Sequence, residues 1–246
     1  MPGAVVRFVG SGDAFGSGGR FQACISLRWE QNHVLLDCGA SSLISMRRLG
    51  MDPQSVQAIL VSHLHGDHFG GIPFLVLNQQ FSRREEPLLV AGPLGTQDRV
   101  MRAMEVLFPG SSTMPRRFEL QFAELAAGIE VPVGPAHVTA YEVDHASGAP
   151  ALALRVACGG RVIAYSGDTA LSDSLLHAAE GADLFICEVY TFDTPIKYHL
   201  SYTELRKIKS ALGCRRLVLT HCGPQALARR AEIQDEVAED GLALQL

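Results

Sequence analysis

The sequence predicts an α/β protein in which two mixed sheets pack face to face, with helices on their outer sides. Short apolar or alternating segments recur along the chain and are typical of strands. Amphipathic segments follow each group of strands, and we expect them to form outer helices, which gives a four-layer αββα sandwich. No linker, repeat or low-complexity tract interrupts the pattern, so residues 1–246 are expected to form a single domain.

The individual elements are assigned from the period of the apolar residues. Strands are predicted at residues 5–9, 23–29, 33–37, 56–61, 88–91, 118–122, 129–133, 137–143, 152–158, 161–166, 184–188, 217–220 and 242–246. Helices are predicted at residues 42–49, 69–81, 93–107, 171–179, 202–212 and 225–239. Ser41 or Ser42 is expected to cap the first helix. Val100, Met104 and Leu107 are expected on one face of the third.

The composition indicates an ordinary globular protein without a membrane partner. The chain has 246 residues, 47% hydrophobic and 19% charged, with a formal net charge of -5, which argues against broad affinity for nucleic acid. No apolar run approaches the ~20 residues of a membrane span, and the N-terminus leads directly into a strand without a signal peptide. The six cysteines form no C-x-x-C pair. They are therefore expected to be reduced core thiols of a cytoplasmic protein, with Cys222 a neighbour of the site rather than a ligand.

Four potential metal ligands lie within six residues of one another, in the motif H-x-H-x-D-H that follows a predicted buried strand. His63 and His65 alternate along an extended backbone, which places both imidazoles on one side. Asp67 and His68 turn back after Gly66 and can serve a second ion. Imidazole and carboxylate together suit zinc or another first-row metal rather than calcium. The alternative is a polar loop that is merely rich in histidine.

Three further candidates share one property, because each follows an apolar strand at its end: His145, Asp168 and His221. An ionisable group in such a place is costly unless it is paired or bound to a metal. For any one of them alone, a hydrogen-bonded turn residue is an equal alternative. Together they complete two sites, of which one contains His63, His65 and His145, the other contains Asp67, His68 and His221, and Asp168 bridges the two.

The ordered motifs HLHGDH, DH, SGDT and LTH resemble the metallo-β-lactamase superfamily, which implies its αββα fold and two zinc ions. The segments FVGSGDAFG, LLDCG, CEVYTF and YHLSYTEL resemble the ribonuclease Z-like branch of that superfamily. This resemblance implies that Glu188 and His199 form a catalytic pair that helps to protonate the leaving oxygen. It also implies a metal-bound hydroxide that attacks phosphorus, with Asp67 orienting or deprotonating it.

Two departures from the branch bear on the substrate. Only residues 146–167 separate His145 from Asp168, where the tRNA-processing enzymes commonly carry a long projecting arm. The arginine-containing segment expected after His221 is altered to CGPQAL. Both differences argue against tRNA 3′ processing and favour a smaller phosphodiester, such as a cyclic nucleotide or a cyclic sugar phosphate.

The sequence therefore predicts a dinuclear-metal phosphodiesterase that acts on a small or single-stranded phosphodiester, including a short nucleic acid. Two Zn²⁺ ions are expected, with Mn²⁺ or Fe²⁺ as alternatives. The alternative functions are tRNA 3′ processing, a lactonase, thioesterase or β-lactamase activity at the same site, and a non-catalytic metal-binding module. His33, His137 and His177 are expected to be structural or exposed. The apolar residues 69–81 could form a homodimer interface.

Overall fold

The computed structural model describes residues 3–246, and its strands form two mixed, seven-stranded sheets. In this part of the chain the strands are β1 (Val5–Gly10), β2 (Cys24–Trp29), β3 (Asn32–Leu36), β4 (Ala58–Leu60), β5 (Leu88–Gly92), β6 (Leu120–Glu124), β7 (Glu130–Val133), β8 (Ala136–Val143), β9 (Ala151–Cys158), β10 (Arg161–Tyr165), β11 (Leu184–Glu188), β12 (Leu217–Thr220), β13 (Glu236–Val237) and β14 (Ala243–Gln245). The first sheet has the order β14-β1-β2-β3-β4-β5-β6, and the second has the order β13-β12-β11-β10-β9-β8-β7.

The α-helices of the described chain are α1 (Ser42–Arg48), α2 (Gly66–Phe69), α3 (Ile72–Phe81), α4 (Thr96–Leu107), α5 (Asp173–Ala179), α6 (Tyr202–Ile208) and α7 (Pro224–Ala228). Helices α1, α3 and α4 pack on the outer face of the first sheet. Helices α5, α6 and α7 pack on the outer face of the second. The predicted four-layer αββα sandwich is thus confirmed.

The principal core lies between the two sheets and explains the alternating pattern of the strands. Phe8, Leu27 and Leu36 face it from the first sheet, and Leu154 and Ile186 face it from the second. Alternate side chains of the same strands point outward and are covered by the helices. Burial of each such large apolar side chain contributes about 1.5–3 kcal/mol. Each strand thus has an inner face toward the other sheet and an outer face toward the helices. A shift of the strand by one residue would exchange the two faces, so they fix its register.

The predicted helix over residues 225–239 is wrong. The chain forms α7, a short 3₁₀ turn at Arg230–Glu232, and then the two-residue strand β13. Strand β13 pairs in parallel with β12, and Val237 lies opposite Leu219. Ile233 and Val237 are buried in the outer core of the second sheet. Pairing with a sheet edge therefore overrides the helical pattern of this segment.

The predicted helix over residues 69–81 is divided into α2 and α3 by Gly70 and Gly71. This break has a packing reason, because a Cβ atom on Gly71 would lie 2.1 Å from the carbonyl oxygen of Gly39. The glycine lets the two backbones touch directly behind the histidine motif. The second half of the motif, in α2, is thereby held against the turn that follows β3.

Two smaller predictions on the helices are also wrong. Ser41 is the residue before α1, but its Oγ accepts a hydrogen bond from the backbone N–H of Gln22 at 2.9 Å and does not cap the helix. Leu107 is 47% exposed at the end of α4, whereas Val100 and Met104 are buried as predicted. Ser41 thus bonds to the loop of Gln22 instead of the helix, and Leu107, the last residue of α4, lies beyond the buried part of its face.

Within residues 3–246, no helix combines the length and the apolar character that crossing a membrane requires. All six cysteines are free, and every one except the half-buried Cys214 is buried. The structure thus agrees with the prediction of core thiols.

His33 is a buried structural histidine on β3. It is 1% exposed, with Nε2 2.9 Å from Oγ of Ser26 and Nδ1 2.8 Å from Oγ of Ser55. Burial, together with the nearby charge of Arg28, lowers the pKa of His33 to about 4. The folded protein therefore holds this imidazole in its neutral form, whereas the unfolded chain protonates it near pH 6.5.

This difference predicts a loss of stability in acid. Between about pH 6.5 and pH 4 the unfolded chain binds one proton more than the folded chain, so the free energy of unfolding falls with falling pH by about 1.4 kcal/mol per pH unit. His33→Gln should remove that part of the slope. Urea unfolding at pH 7 and pH 4.5 measures it, with the exposed His137→Gln as control. Equal acid losses in wild type and both variants would contradict the assignment.

Candidate metal centre

The site lies where strands of both sheets end in the same direction. Strands β3 and β4 are parallel neighbours in the first sheet, as are β10, β11 and β12 in the second. Strand β8 is antiparallel to β9, which is antiparallel to β10, so β8 also runs in this direction. The carboxyl ends of these strands therefore meet at one edge of the sandwich. The residues that follow these ends are His63, His65, Asp67 and His68 after β4, His145 after β8, Asp168 after β10 and His221 after β12.

The structure brings His63, His65 and His145 together as a first donor group, whose ligand atoms all lie within 4.8 Å of one another. Nε2 of His145 lies 3.0 Å from Nδ1 of His65. Oδ2 of Asp168 lies 3.8 Å from Nε2 of His63 and 4.0 Å from Nε2 of His145. Three imidazoles and one carboxylate oxygen thus surround a common point.

Asp67, His68 and His221 form a second donor group with the other oxygen of Asp168. Oδ2 of Asp67 lies 3.2 Å from Nε2 of His68 and 3.3 Å from Nε2 of His221. Oδ1 of Asp168 lies 3.3 Å and 3.5 Å from the same two nitrogens. Asp168 therefore presents one oxygen to each group, as a bridging carboxylate would.

The donor atoms of this site fit metal ions better than they fit one another. Within residues 3–246, Nε2 of His63 and Oδ1 of Asp168 are buried without a hydrogen-bond partner. Nε2 of His68 lies 3.4 Å from Nε2 of His221, and both nitrogens face the carboxylates of Asp67 and Asp168. A buried polar atom without a partner is costly, and a cation in each group would satisfy these atoms together. The residues present thus fit a dinuclear metal site.

The electrostatics of the site leave both carboxylates ionised. Burial opposes the charge of Asp67, but His68 and His221 outweigh it and hold the pKa of this carboxyl well below its usual range. Asp168 behaves in the same way, with His221 and His68 lowering its pKa. Burial, and next the charge of His68, lower the pKa of His63 well below its usual value. Although burial opposes it, the charge of Asp168 raises the pKa of His68 well above its usual value and the pKa of His221 to about 9. A divalent cation binds neutral imidazole and ionised carboxylate, so its binding would release the protons of these two rings.

Glu188 and His199 form a pair beside the two donor groups. Nδ1 of His199 lies 3.2 Å and 3.3 Å from the two carboxylate oxygens of Glu188. Glu188 is fully buried at the end of β11, and its Oε1 also accepts a hydrogen bond from the backbone N–H of Thr169. Burial, and next the charge of Asp168, raise the pKa of Glu188. Although burial opposes it, the hydrogen bond to Glu188 raises the pKa of His199. The predicted pair is therefore assembled, with Nε2 of His199 free for a further contact.

Asp37 is the main residue of this site that the sequence did not assign. Its Oδ2 lies 2.6 Å from Nδ1 of His68, and a carboxylate can only accept, so Nδ1 donates and in the neutral ring Nε2 carries the lone pair. Asp37 also accepts hydrogen bonds from the backbone N–H and Oγ of Ser62 at 2.7 and 2.8 Å and from the hydroxyl of Tyr165 at 2.9 Å. Its position after a buried strand is the same signal that identified Asp168.

Backbone groups orient two other histidines, and these contacts leave no signal in the sequence. The carbonyl oxygen of Tyr198 lies 2.9 Å from Nδ1 of His145, and Tyr198 has a positive φ of 69°. The backbone N–H of His221 donates to the carbonyl oxygen of Ser11 at 3.0 Å, and His221 has a φ of 56°. Non-glycine residues rarely adopt this left-handed conformation, and strain of this kind is frequent at functional sites.

Three other residues lie outside the donor groups, as predicted. His137 is exposed and 3.8 Å from Glu130. His177 is exposed and stacks on Tyr141. Cys222 is buried beside the site, with its Sγ 3.8 Å from the carbonyl oxygen of Thr220.

The contact between Asp37 and His68 predicts a specific effect on metal affinity. Asp37→Asn should weaken metal binding to the Asp67, His68 and His221 group by about 10- to 100-fold, because the ring of His68 loses its charged acceptor. Calorimetric titration of metal-free protein with Zn²⁺ measures the affinity. Asp183→Asn is the matched control, since Asp183 also accepts from a backbone N–H (of Val162, at 2.9 Å) but precedes β11 at its opposite end. An affinity equal to that of the control would contradict the role of Asp37.

Comparison with known proteins shows that the chain is similar in sequence to proteins named ribonuclease Z. It is 28% identical to the ribonuclease Z of Methanosarcina acetivorans over 269 residues, which covers 88% of this chain and 86% of that protein. It is also 28% identical to the ribonuclease Z of Methanothermobacter thermautotrophicus, covering 95% of this chain and 90% of that protein.

Solved structures with the metallo-β-lactamase fold superpose on nearly the whole chain. The short form of human tRNase Z has a TM-score of 0.78 at 24% identity and covers 98% of both chains. A diphosphatase of the PhnP family has a TM-score of 0.77 at 17% identity, over 99% of this chain and 98% of that one. The protein YhfI of Bacillus subtilis, described as a metallo-β-lactamase fold protein, has a TM-score of 0.77 at 19% identity, over 98% and 99% of the two chains.

A family model described as "Anti-Pycsar protein Apyc1" matches residues 4–238, which is nearly the entire chain. The match includes every residue of both donor groups as well as Glu188 and His199. The chain therefore belongs to the Apyc1 family of proteins with the metallo-β-lactamase fold.

Proposed function

We propose that the protein is a metal-dependent phosphodiesterase that acts on a small or single-stranded phosphodiester. The observation that supports this most is the position of the Glu188–His199 pair beside two donor groups that share Asp168. Two metal ions suit attack on phosphorus, and a histidine held by a buried carboxylate suits protonation of the leaving oxygen.

In this proposal, His63, His65 and His145 would hold one ion, Asp67, His68 and His221 would hold the other, and Asp168 would offer one oxygen to each. Five imidazoles and two carboxylates favour zinc, and the same donors also accept manganese or iron. Two such ions, when bound, lower the pKa of a water molecule and stabilise negative charge on the phosphoryl oxygens.

The side chains of the chain then supply orientation and proton transfer. Oδ2 of Asp67 faces His68 and His221, and its carboxylate orients the attacking water and accepts the proton that this water loses as its oxygen bonds to phosphorus. The bond from phosphorus to the leaving oxygen breaks as Nε2 of His199 gives that oxygen a proton. Glu188 holds Nδ1 of His199, fixes the tautomer and stabilises the imidazolium before transfer.

The size of the substrate is inferred from the segment between His145 and Asp168. Residues 146–167 contain a short loop and the strands β9 and β10, which are joined by the turn Gly159–Gly160 and lie within the second sheet. This stretch has no projecting arm. The alignment with the M. acetivorans ribonuclease Z spans 269 positions, more than the 246 residues of this chain, so that relative contains segments without a counterpart here. A cyclic nucleotide or cyclic sugar phosphate fits such a site better than a folded RNA, and tRNA 3′ processing is the second candidate.

A thioesterase would use the same metals but would leave Glu188 and His199 without a function, because a thiolate needs less help in departing than an alkoxide does. A lactonase or β-lactamase would use both the metals and the pair, but the relatives of this chain are named ribonuclease Z. We therefore place these reactions behind phosphodiester hydrolysis. A panel of lactones and thioesters beside bis(p-nitrophenyl) phosphate and cyclic nucleotides separates the two classes.

The proposal predicts that hydrolysis requires bound metal. Protein treated with a chelator should lose activity on cyclic nucleotides and on bis(p-nitrophenyl) phosphate together, and Zn²⁺ or Mn²⁺ should restore both. Elemental analysis of the restored protein should give two ions per chain. Full activity in protein with less than one ion per chain would contradict the proposal.

A second prediction concerns the leaving group. His199→Ala should lower kcat on a cyclic nucleotide by about 100- to 1,000-fold, since a positioned proton donor contributes on this scale. The same variant should retain most of its activity on bis(p-nitrophenyl) phosphate, because p-nitrophenolate departs without a proton. His137→Ala, which changes an exposed histidine, should leave both rates unchanged. Unchanged turnover of the cyclic nucleotide by His199→Ala would refute the proton-donor role.

A further inference from the structure

An aromatic ring that no step of the proposed reaction uses lies directly against the imidazole of His199. The rings of Tyr190 and His199 are stacked, with centroids 4.7 Å apart and planes inclined by 29°. The ring of Tyr190 is also 6.2 Å from that of His221. Tyr190 is half-buried.

The backbone of Tyr190 is held by the two loops that carry these histidines. Its N–H donates to the carbonyl oxygen of Leu200 at 3.0 Å, in the loop of His199. Its carbonyl oxygen accepts from the N–H of Gly223 at 3.0 Å, in the loop of His221. The backbone of Tyr190 is thus held on both sides, so its phenol ring cannot readily follow a rotation of the His199 ring.

Gly223 provides the room that this ring occupies. A Cβ atom on Gly223 would lie 2.8 Å from Cε2 and 3.0 Å from Cδ2 of Tyr190, closer than van der Waals contact allows. The phenol ring therefore lies between the backbone of Gly223 and the imidazole of His199. It fills the space into which the imidazole could otherwise rotate.

The hydrogen bond to Glu188 does not by itself fix the imidazole plane. Nδ1 of His199 lies almost equally far from the two oxygens of Glu188, at 3.2 and 3.3 Å, so the ring can pivot about this shared contact. The side chain of His199 is 20% exposed, and Glu188 contacts only one of its two ring nitrogens. A stacked aromatic ring is worth about 0.5–1.5 kcal/mol and restricts that rotation.

We propose that Tyr190 is a positioning residue for His199, which holds the imidazole plane so that Nε2 points to the leaving oxygen. The inference rests on the proposed function, since it concerns the proton that His199 gives to that oxygen. It assigns the effect to the ring face of Tyr190 and not to its hydroxyl.

The test compares Tyr190→Leu and Tyr190→Phe on two substrates with bound metal. Tyr190→Leu should lower kcat on a cyclic nucleotide by about 10- to 100-fold, the range expected for a misplaced catalytic group, with KM little changed. Its rate on bis(p-nitrophenyl) phosphate should stay close to wild type. Tyr190→Phe keeps the ring and should retain both rates. Equal losses on both substrates in Tyr190→Leu would overturn the proposal.

Tyr141→Leu is the matched control, because Tyr141 also stacks on a histidine, His177, with ring centroids 6.4 Å apart and planes inclined by 23°. This variant should leave the ratio of the two rates unchanged. If wild-type protein hydrolyses neither substrate, the proposed function fails. If wild type hydrolyses both and Tyr190→Leu keeps their ratio, the positioning role alone fails.

A double-mutant cycle separates positioning from a direct contact with substrate. In the His199→Ala background, Tyr190→Leu should cause no additional loss on the cyclic nucleotide, because its effect passes through the imidazole. An additional loss of the same size would show that Tyr190 contacts the substrate and would overturn the inference.

A spectroscopic measurement does not depend on activity or on the folding of the leucine variant. In ¹³C-histidine-labelled protein, the ring protons of His199, assigned from their absence in His199→Ala, should be shifted upfield by the stacked phenol ring. Tyr190→Phe should keep this shift. Ring-proton positions typical of an unstacked histidine in wild type and in Tyr190→Phe would contradict the stacking and the proposal with it.

Discussion

The rest of the site depends on the hydrogen bonds that one buried carboxylate accepts from both sheets. Asp37 follows β3 in the first sheet, and Tyr165 ends β10 in the second, yet the two side chains are joined by a 2.9 Å hydrogen bond. The same carboxylate holds Ser62 and His68. An unpaired carboxylate in this place would be strongly destabilising, so the donors must stay where they are. The position of the histidine motif relative to the second sheet is set by that requirement.

The centre itself is an arrangement that protein groups alone do not complete. Asp67 and Asp168 keep their negative charge because histidines surround them, while His63 and Asp168 still hold buried atoms without hydrogen bonds in the described chain. Closer packing of the protein would not give these atoms hydrogen-bond partners, since the donor atoms of the site already surround a common centre. Divalent cations in the two donor groups would supply positive charge and take up the lone pairs. The free energy that folding spends on burying these unpaired groups would therefore be recovered when metal binds.

The sequence was sufficient for those parts of the site that depend on local pattern. The histidine motif is contiguous, and His145, Asp168 and His221 each follow a recognisable apolar strand, so their meeting could be predicted from strand direction. Asp37 carried the same signal, but its function depends on Tyr165 from the other sheet. The backbone carbonyl of Tyr198 orients His145, and this contact depends on a left-handed backbone at Tyr198 that could not be predicted from its residue type.

The same distinction explains the outcome for the fold. The two sheets and most of the outer helices were predicted correctly because apolar residues and turn residues alternate along the chain at the spacing of short strands and helices. The final predicted helix failed because two residues of it, in β13, pair with β12 as the edge strand of the second sheet, and such a pairing is decided by the assembled sheet. The stacking of Tyr190 on His199 likewise requires the side-chain-free Gly223 from a third segment. Contacts that join three distant segments leave no pattern in any one of them.

The most direct test of the dinuclear centre is anomalous diffraction from crystals of the protein loaded with zinc. We expect two anomalous peaks per chain, one within coordination distance of His63, His65 and His145 and one within coordination distance of Asp67, His68 and His221, with an oxygen of Asp168 on each. A single peak, or peaks away from these two donor groups, would contradict the dinuclear centre.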